Sequence, residues 1–143
     1  MKKIILIIFE VVLIKLVLLG QINSFNLELI PYSGGSKGYS IQMQNNYLYK
    51  STHKLKSADN NFYLGDTINK KKIKLTKKET KKIQNLINNL ENISKEDQIC
   101  IDGWIYILEK NKKSYTLSTC NVNNYKNFYS LIKFISKKTK IFF

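Results

Sequence analysis

The chain has 143 residues, of which 24 are basic and 10 acidic, for a formal charge of +14. This length accommodates one domain once a targeting segment is set aside, and a hydrophobic content of 43% excludes a disordered chain. Every basic residue is lysine, so the bidentate arginine forks of sequence-specific nucleic-acid readers are missing and only a general attraction to anions is left.

Met1-Lys2-Lys3 precedes an apolar run, Ile4–Phe9, that continues through Val11–Ile14 and Leu16–Leu19. A positive start followed by such a run reads as a signal peptide or an N-terminal membrane anchor over residues 1–24. Glu10 and Lys15 interrupt it, each costing about 2.5–3.5 kcal/mol at a membrane centre, and the small residues Gly20 and Ser24 offer imperfect cleavage sites. No cysteine lies here to carry a lipid. The segment makes the protein exported, to periplasm, envelope or medium, and leaves release or anchoring open. Any membrane contact is expected through this segment alone.

Residues 25–143 form the remaining domain. Phe25–Ile30 alternates apolar and polar residues as a strand does, and the glycine-rich stretch from Pro31 to Gly38 reads as a loop, its spacing unlike a phosphate-binding loop. Tyr39–Gln44 is a second strand, Asn45-Asn46 a tight turn, and Tyr47–Thr52 the returning strand. The polar stretch His53–Asn61 reads as a mobile loop, Phe62–Leu64 as a local apolar contact and Gly65-Asp66 as another turn. Lys70–Leu75 is a short strand.

Thr76-Lys77-Lys78-Glu79 is a capping box, in which hydroxyl and carboxylate satisfy each other's backbone N–H groups. Ile83, Leu86, Ile87 and Leu90 then recur at helical spacing, predicting a helix from Lys77 to Glu91. Gln98–Leu108 reads as a central strand with a bulge or close approach at Gly103. Glu109–Lys113 reads as a turn and Ser114–Thr119 as the strand that follows it. Helix-start residues at Asn121–Asn124 lead to an apolar stripe of Tyr125, Phe128, Leu131, Ile132 and Ile135, then a basic tail over residues 137–140. The expected fold is α+β: an antiparallel sheet of about five strands built from hairpins, with two amphipathic helices on one face.

Cys100 and Cys120 fall near the outer ends of the last hairpin, symmetric about Lys110. In an oxidising compartment they are expected to form a disulfide. An odd-length loop centred on Lys110 sets them opposite each other, whereas an even one breaks that register unless Gly103 compensates. Neither has histidine partners, and His53 is the only histidine, so no metal ligands and no cofactor are expected.

Lys70, Lys71, Lys72 and Lys74, followed by Lys77, Lys78, Lys81 and Lys82, form the densest basic stretch. Cations at a helix N-terminus oppose the helix dipole, which marks this stretch as the candidate anion-binding face. The competing account is codon bias, since lysine, asparagine and isoleucine are all abundant. Tyr32, Tyr39, Tyr47, Tyr49 and Tyr63, interleaved with lysines, suit either stacking on a ligand or one sheet face. A single histidine and few carboxylates, with Glu79 committed to its cap, leave no catalytic residues to name. The expectation is a non-catalytic exported domain binding an anionic envelope component or acidic protein, with an inhibitor or immunity-type protein as a special case. The alternatives are a small exported hydrolase or an anchored structural protein.

Overall fold

The computed structural model describes residues 24–32, 37–59, 61–91 and 103–141. Six strands are present: β1 Phe25–Pro31, β2 Lys37–Gln44, β3 Tyr47–Ala58, β4 Asn61–Lys74, β5 Trp104–Lys110 and β6 Lys113–Ser118. They pair antiparallel in the order β4-β3-β2-β1-β5-β6, so β4 and β6 are the edges. The helices are α1 Lys77–Asn88 and α2 Lys126–Thr139, the latter preceded by a 3-10 turn at Val122–Asn124. The fold is therefore α+β, as expected, with one strand more than the sequence pattern suggested.

Alternation sets which face is covered. Phe25, Leu27 and Leu29 of β1 register with Met43, Ile41 and Tyr39 of β2, and Leu27 and Leu29 also with Leu108 and Tyr106 of β5. That apolar face meets Ile83 and Ile87 of α1 and Phe128, Leu131, Ile132 and Ile135 of α2 in one buried cluster. Phe128 is fully buried and meets Tyr106 edge-on at 6.4 Å; burying such a side chain contributes about 1.5–3 kcal/mol.

The helix ends are satisfied by several devices. Thr76 N–H donates to Glu79 Oε2 at 2.9 Å and Glu79 N–H to Thr76 Oγ1 at 3.3 Å, the expected capping box. The helix stops at Asn88, and Asn89 closes it through Asn85 O. Glu91, expected as the last helical residue, instead reaches α2, where its Oε1 accepts from Asn127 N–H at 2.7 Å. This carboxylate supplies the N-terminal cap that Tyr125 has no side-chain oxygen in place to give. Asn127 Nδ2 returns a bond to Asn89 O at 2.7 Å, and Lys138, near the other end of α2, pairs with Glu79 at the start of α1. The two helices are therefore antiparallel.

His53–Ala58 belongs to strand β3 and Asn61 opens β4, where a mobile loop was expected, and Gly65-Asp66 lies within β4 rather than at a turn. Polar residues suit a ribbon that projects past the main sheet, because its ladder bonds are met by its own partner strand and its side chains meet water. The ribbon bends at register shifts between Thr52 and His53 and between His53 and Leu55. Beyond the bend, Leu55 and Leu64 rest on Gly38, which is in β2 and not in a loop. A Cβ at residue 38 would lie 2.3 Å from Leu64 Cδ2 and 2.9 Å from Leu55 Cδ2. The arm therefore curls over the sheet face that the helices leave uncovered.

The last hairpin also departs from expectation. Its loop is Asn111-Lys112 alone, between the pair Lys110 and Lys113, with φ 48° and 64° at the two positions. Both central residues being left-handed gives the twist that two-residue hairpins favour. An even-length loop moves the centre off Lys110. Ile105 pairs with Ser118, and Thr119 N–H bonds Trp104 O at 3.0 Å, so the ladder continues to Thr119. Cys100 lies outside the described residues, and among those described no cysteine is free.

Gly103 has φ 134°, and a Cβ there would lie 2.8 Å from Thr119 Oγ1. That hydroxyl accepts from Trp104 N–H at 2.7 Å and donates to Trp104 O at 3.2 Å. The close approach expected at Gly103 is therefore present.

Candidate functional site: the exposed lysine surfaces

Strand alternation divides the lysines of β4. Lys70, Lys72 and Lys74 register with Ser51, Tyr49 and Tyr47 on the face away from the helices, whereas Lys71 registers with Lys50 on the helix side. Lys77, Lys78, Lys81 and Lys82 belong to the first two turns of α1. The eight lysines on β4 and α1 are all exposed, whereas Lys50 is half-buried. The expected basic stretch is thus brought together along one edge of the molecule but on two sides of it.

On the uncovered face, Lys72 Nζ lies 4.0 Å from the Tyr47 ring centroid and 5.4 Å from that of Tyr49, the rings themselves being 6.4 Å apart. Lys72, on the edge strand β4, thus covers a half-buried tyrosine pair on β3. Charged lysines also keep such an edge from pairing with other chains. Of the other tyrosines expected near the first hairpin, Tyr39 stacks on Trp104 at 5.9 Å on the helix side, while Tyr32 and Tyr63 are exposed.

Two sheet lysines are structural. Lys50 Nζ donates to Thr139 O at 3.1 Å, at the C-terminal end of α2, and lies 4.9 Å from the Tyr39 ring centroid. Lys110 Nζ donates to Ile87 O and Asn88 Oδ1, both at 3.0 Å, at the C-terminal end of α1. Each ammonium meets orphaned carbonyls at the negative end of a helix dipole. Desolvation lowers both pKa values, with smaller contributions from Lys71 on Lys50 and from Lys113 on Lys110. These contacts were hidden in the sequence because Lys50 and Lys110 are distant in the chain from the helix ends they meet.

On the helix side, α1 and α2 border a cleft of about 480 Å³ whose walls include Lys82, Lys133, Lys137 and Lys138. Of these only Lys82 belonged to the candidate anion-binding face, Lys137 and Lys138 having been read as part of the basic tail. The spacing of Lys133 and Lys137, i and i+4 on a helix, was the signal available for the others. The Glu79 carboxyl is held below its ordinary pKa, chiefly by its bond to Lys138 and next by the Thr76 backbone.

His53 is in β3 at the ribbon bend. Its Nδ1 lies 3.1 Å from Gly65 O, an acceptor only, so Nδ1 carries the proton and in the neutral ring Nε2 accepts from the Ser40 hydroxyl at 2.9 Å. The ring thus ties β2, β3 and β4 together. Glu96, Asp97 and Asp102 lie outside the described residues, and among those described no three His, Cys, Asp or Glu side chains group as metal ligands. No helix among the described residues is long and apolar enough to cross a membrane; residues 1–23 lie outside them.

No protein-family model matches the chain, and no curated protein matches it.

Proposed function

We propose that this protein is an exported, non-catalytic domain that binds an anionic partner, an envelope component or acidic protein, through its exposed lysines. One observation carries the reading: among the described residues, none of the lysines on β4 and α1 takes part in an ion pair. The ion pairs among the described residues engage Lys56 with Asp66 and Lys138 with Glu79, and neither involves Lys70, Lys71, Lys72, Lys74, Lys77, Lys78, Lys81 or Lys82. Clustered like charges raise the local potential and draw an anionic partner at a rate that salt suppresses. The N-terminal segment supports export, and pairing of Cys100 with Cys120 is the thiol state that fits it. The test is retention on heparin at low and high salt, with replacement of Lys70, Lys72, Lys74, Lys77, Lys78 and Lys81 by glutamine. Retention that falls with salt and is lost in the variant supports the reading; absence of retention at low salt removes it.

A second reading, a hydrolase, has the Ser40–His53 contact in its favour. The third member of that chain is a backbone carbonyl rather than a carboxylate, which leaves the imidazolium of a Ser–His mechanism without a counter-charge. Labelling of Ser40 by a fluorophosphonate would establish this reading, and an unlabelled Ser40 dismisses it.

A further inference from the structure

We propose that the cleft between α1 and α2 is a binding site for a phosphate-bearing ligand, either a soluble polyphosphate or a phosphorylated headgroup. This rests on the anionic-partner reading and narrows it to one place and one chemistry.

Four lysines and one carboxylate line the cleft. Glu79 is already paired with Lys138, which leaves Lys82, Lys133 and Lys137 without an acidic partner among the described residues. Lys137 and Lys138 are in the last turn of α2, where the helix dipole favours cations. The dipole does not account for the other two. Lys82 is in the second turn of α1 and Lys133 in the middle of α2, both beyond the first or last turn in which the dipole acts. Both line the same concavity, with Lys133 Nζ 5.9 Å from the ring centroid of Tyr129, one turn earlier on α2. Lys82 Nζ lies 5.4 Å from the Phe134 ring centroid, which holds it against the cleft wall.

The chemistry follows from the donors. Lysine offers compact, rotatable N–H donors that suit tetrahedral oxyanions approached from several sides, and the hydroxyl of Ser130, also in the wall, adds a further donor. The surplus positive charge calls for a group carrying more than one negative charge, which phosphate esters and polyphosphates do near neutral pH. The Phe134 ring keeps part of the wall dry and strengthens each charge contact. Antiparallel packing fixes the spacing across the cleft, because Glu91 ties the helices at one end and Lys138 with Glu79 at the other. A phosphate group there would meet a preformed site.

The experiment titrates the full folded chain with inorganic tripolyphosphate at constant ionic strength, by calorimetry and by NMR shifts of the α1 and α2 amides. Lys133 and Lys137 are exposed, so the double variant Lys133→Gln/Lys137→Gln should keep its fold, checked by its melting curve. The expected result is a loss of affinity of about tenfold or more in this variant, with less than about a twofold change in Lys70→Gln/Lys72→Gln/Lys74→Gln. Competition by vesicles containing phosphatidylglycerol separates the sources: displacement of tripolyphosphate supports a headgroup, and no displacement supports a soluble ligand. Equal affinity in the wild type and the cleft variant overturns the proposal. If heparin is retained but tripolyphosphate is not bound, the cleft proposal falls and the broader reading stands. If neither is bound, both fall.

Discussion

Replacing Gly103 by alanine tests the account of the last hairpin most directly. Two penalties coincide at this residue. Its φ of 134° lies where side chains are strained, and holding a non-glycine residue in a sparsely populated region costs about 1–3 kcal/mol. The added methyl would also lie 2.8 Å from Thr119 Oγ1 and 3.0 Å from Thr119 Cβ. Relief requires Thr119 to move, which breaks its two bonds to the Trp104 backbone, worth about 0.5–1.5 kcal/mol each in net terms. Because relaxation of one penalty partly relieves the other, we expect a destabilisation of about 2–4 kcal/mol. Equilibrium urea unfolding reads this as a fall in midpoint of roughly 1–3 M, with the slope unchanged. Adding Thr119→Ala separates the components. If the clash contributes, Gly103→Ala costs less in the Thr119→Ala background than in the wild type. A Gly103→Ala protein within about 0.5 kcal/mol of the wild type would refute the reasoning, since a surface change without these features has an effect of that size.

Three further outcomes are expected. Glu91→Ala removes the carboxylate that caps α2 through Asn127 N–H and should destabilise by about 0.5–2 kcal/mol, with faster amide exchange in the first turn of α2; unchanged exchange there would dismiss the cap. Lys110→Met deletes the bonds to Ile87 O and Asn88 Oδ1, and because the side chain is partly exposed the loss should be about 1–2 kcal/mol in urea unfolding. Glu79 should titrate by NMR below the ordinary value of 4.5, because Lys138 and the Thr76 backbone favour its charged form. The stability it lends is then complete above pH 4.5 and lost as pH falls through its lower folded value. Lys138→Gln should raise its midpoint, and a wild-type midpoint at or above 4.5 would contradict the pairing.

Much of the local structure was legible because it depends on neighbours in the chain. The capping box needs only Thr76 and Glu79, and the apolar stripes of both helices follow from helical periodicity. The first hairpin was equally plain: Asn45 adopts φ 54° between two alternating strands. Where expectation failed, the deciding partner was remote. The His53–Asn61 stretch looks like a loop by composition, but the ribbon it forms is held by ladder pairing to β4 and by a leucine contact on Gly38. The register of the last hairpin turned on whether its loop held an odd or even number of residues, a difference that polar composition cannot express.

Charge divides in the same way. The sequence by itself determined that the protein carries a large lysine excess, that its core is one sheet face under two helices, and where those helices begin. Only the tertiary structure decided what individual lysines do. Lys50 and Lys110 are consumed at helix ends, Lys72 lies over tyrosines, and Lys82, Lys133 and Lys137 line one cleft. Periodicity says which side of its own element a residue occupies. Which element that side meets depends on the order and direction in which strands and helices pack, and local residues do not encode it.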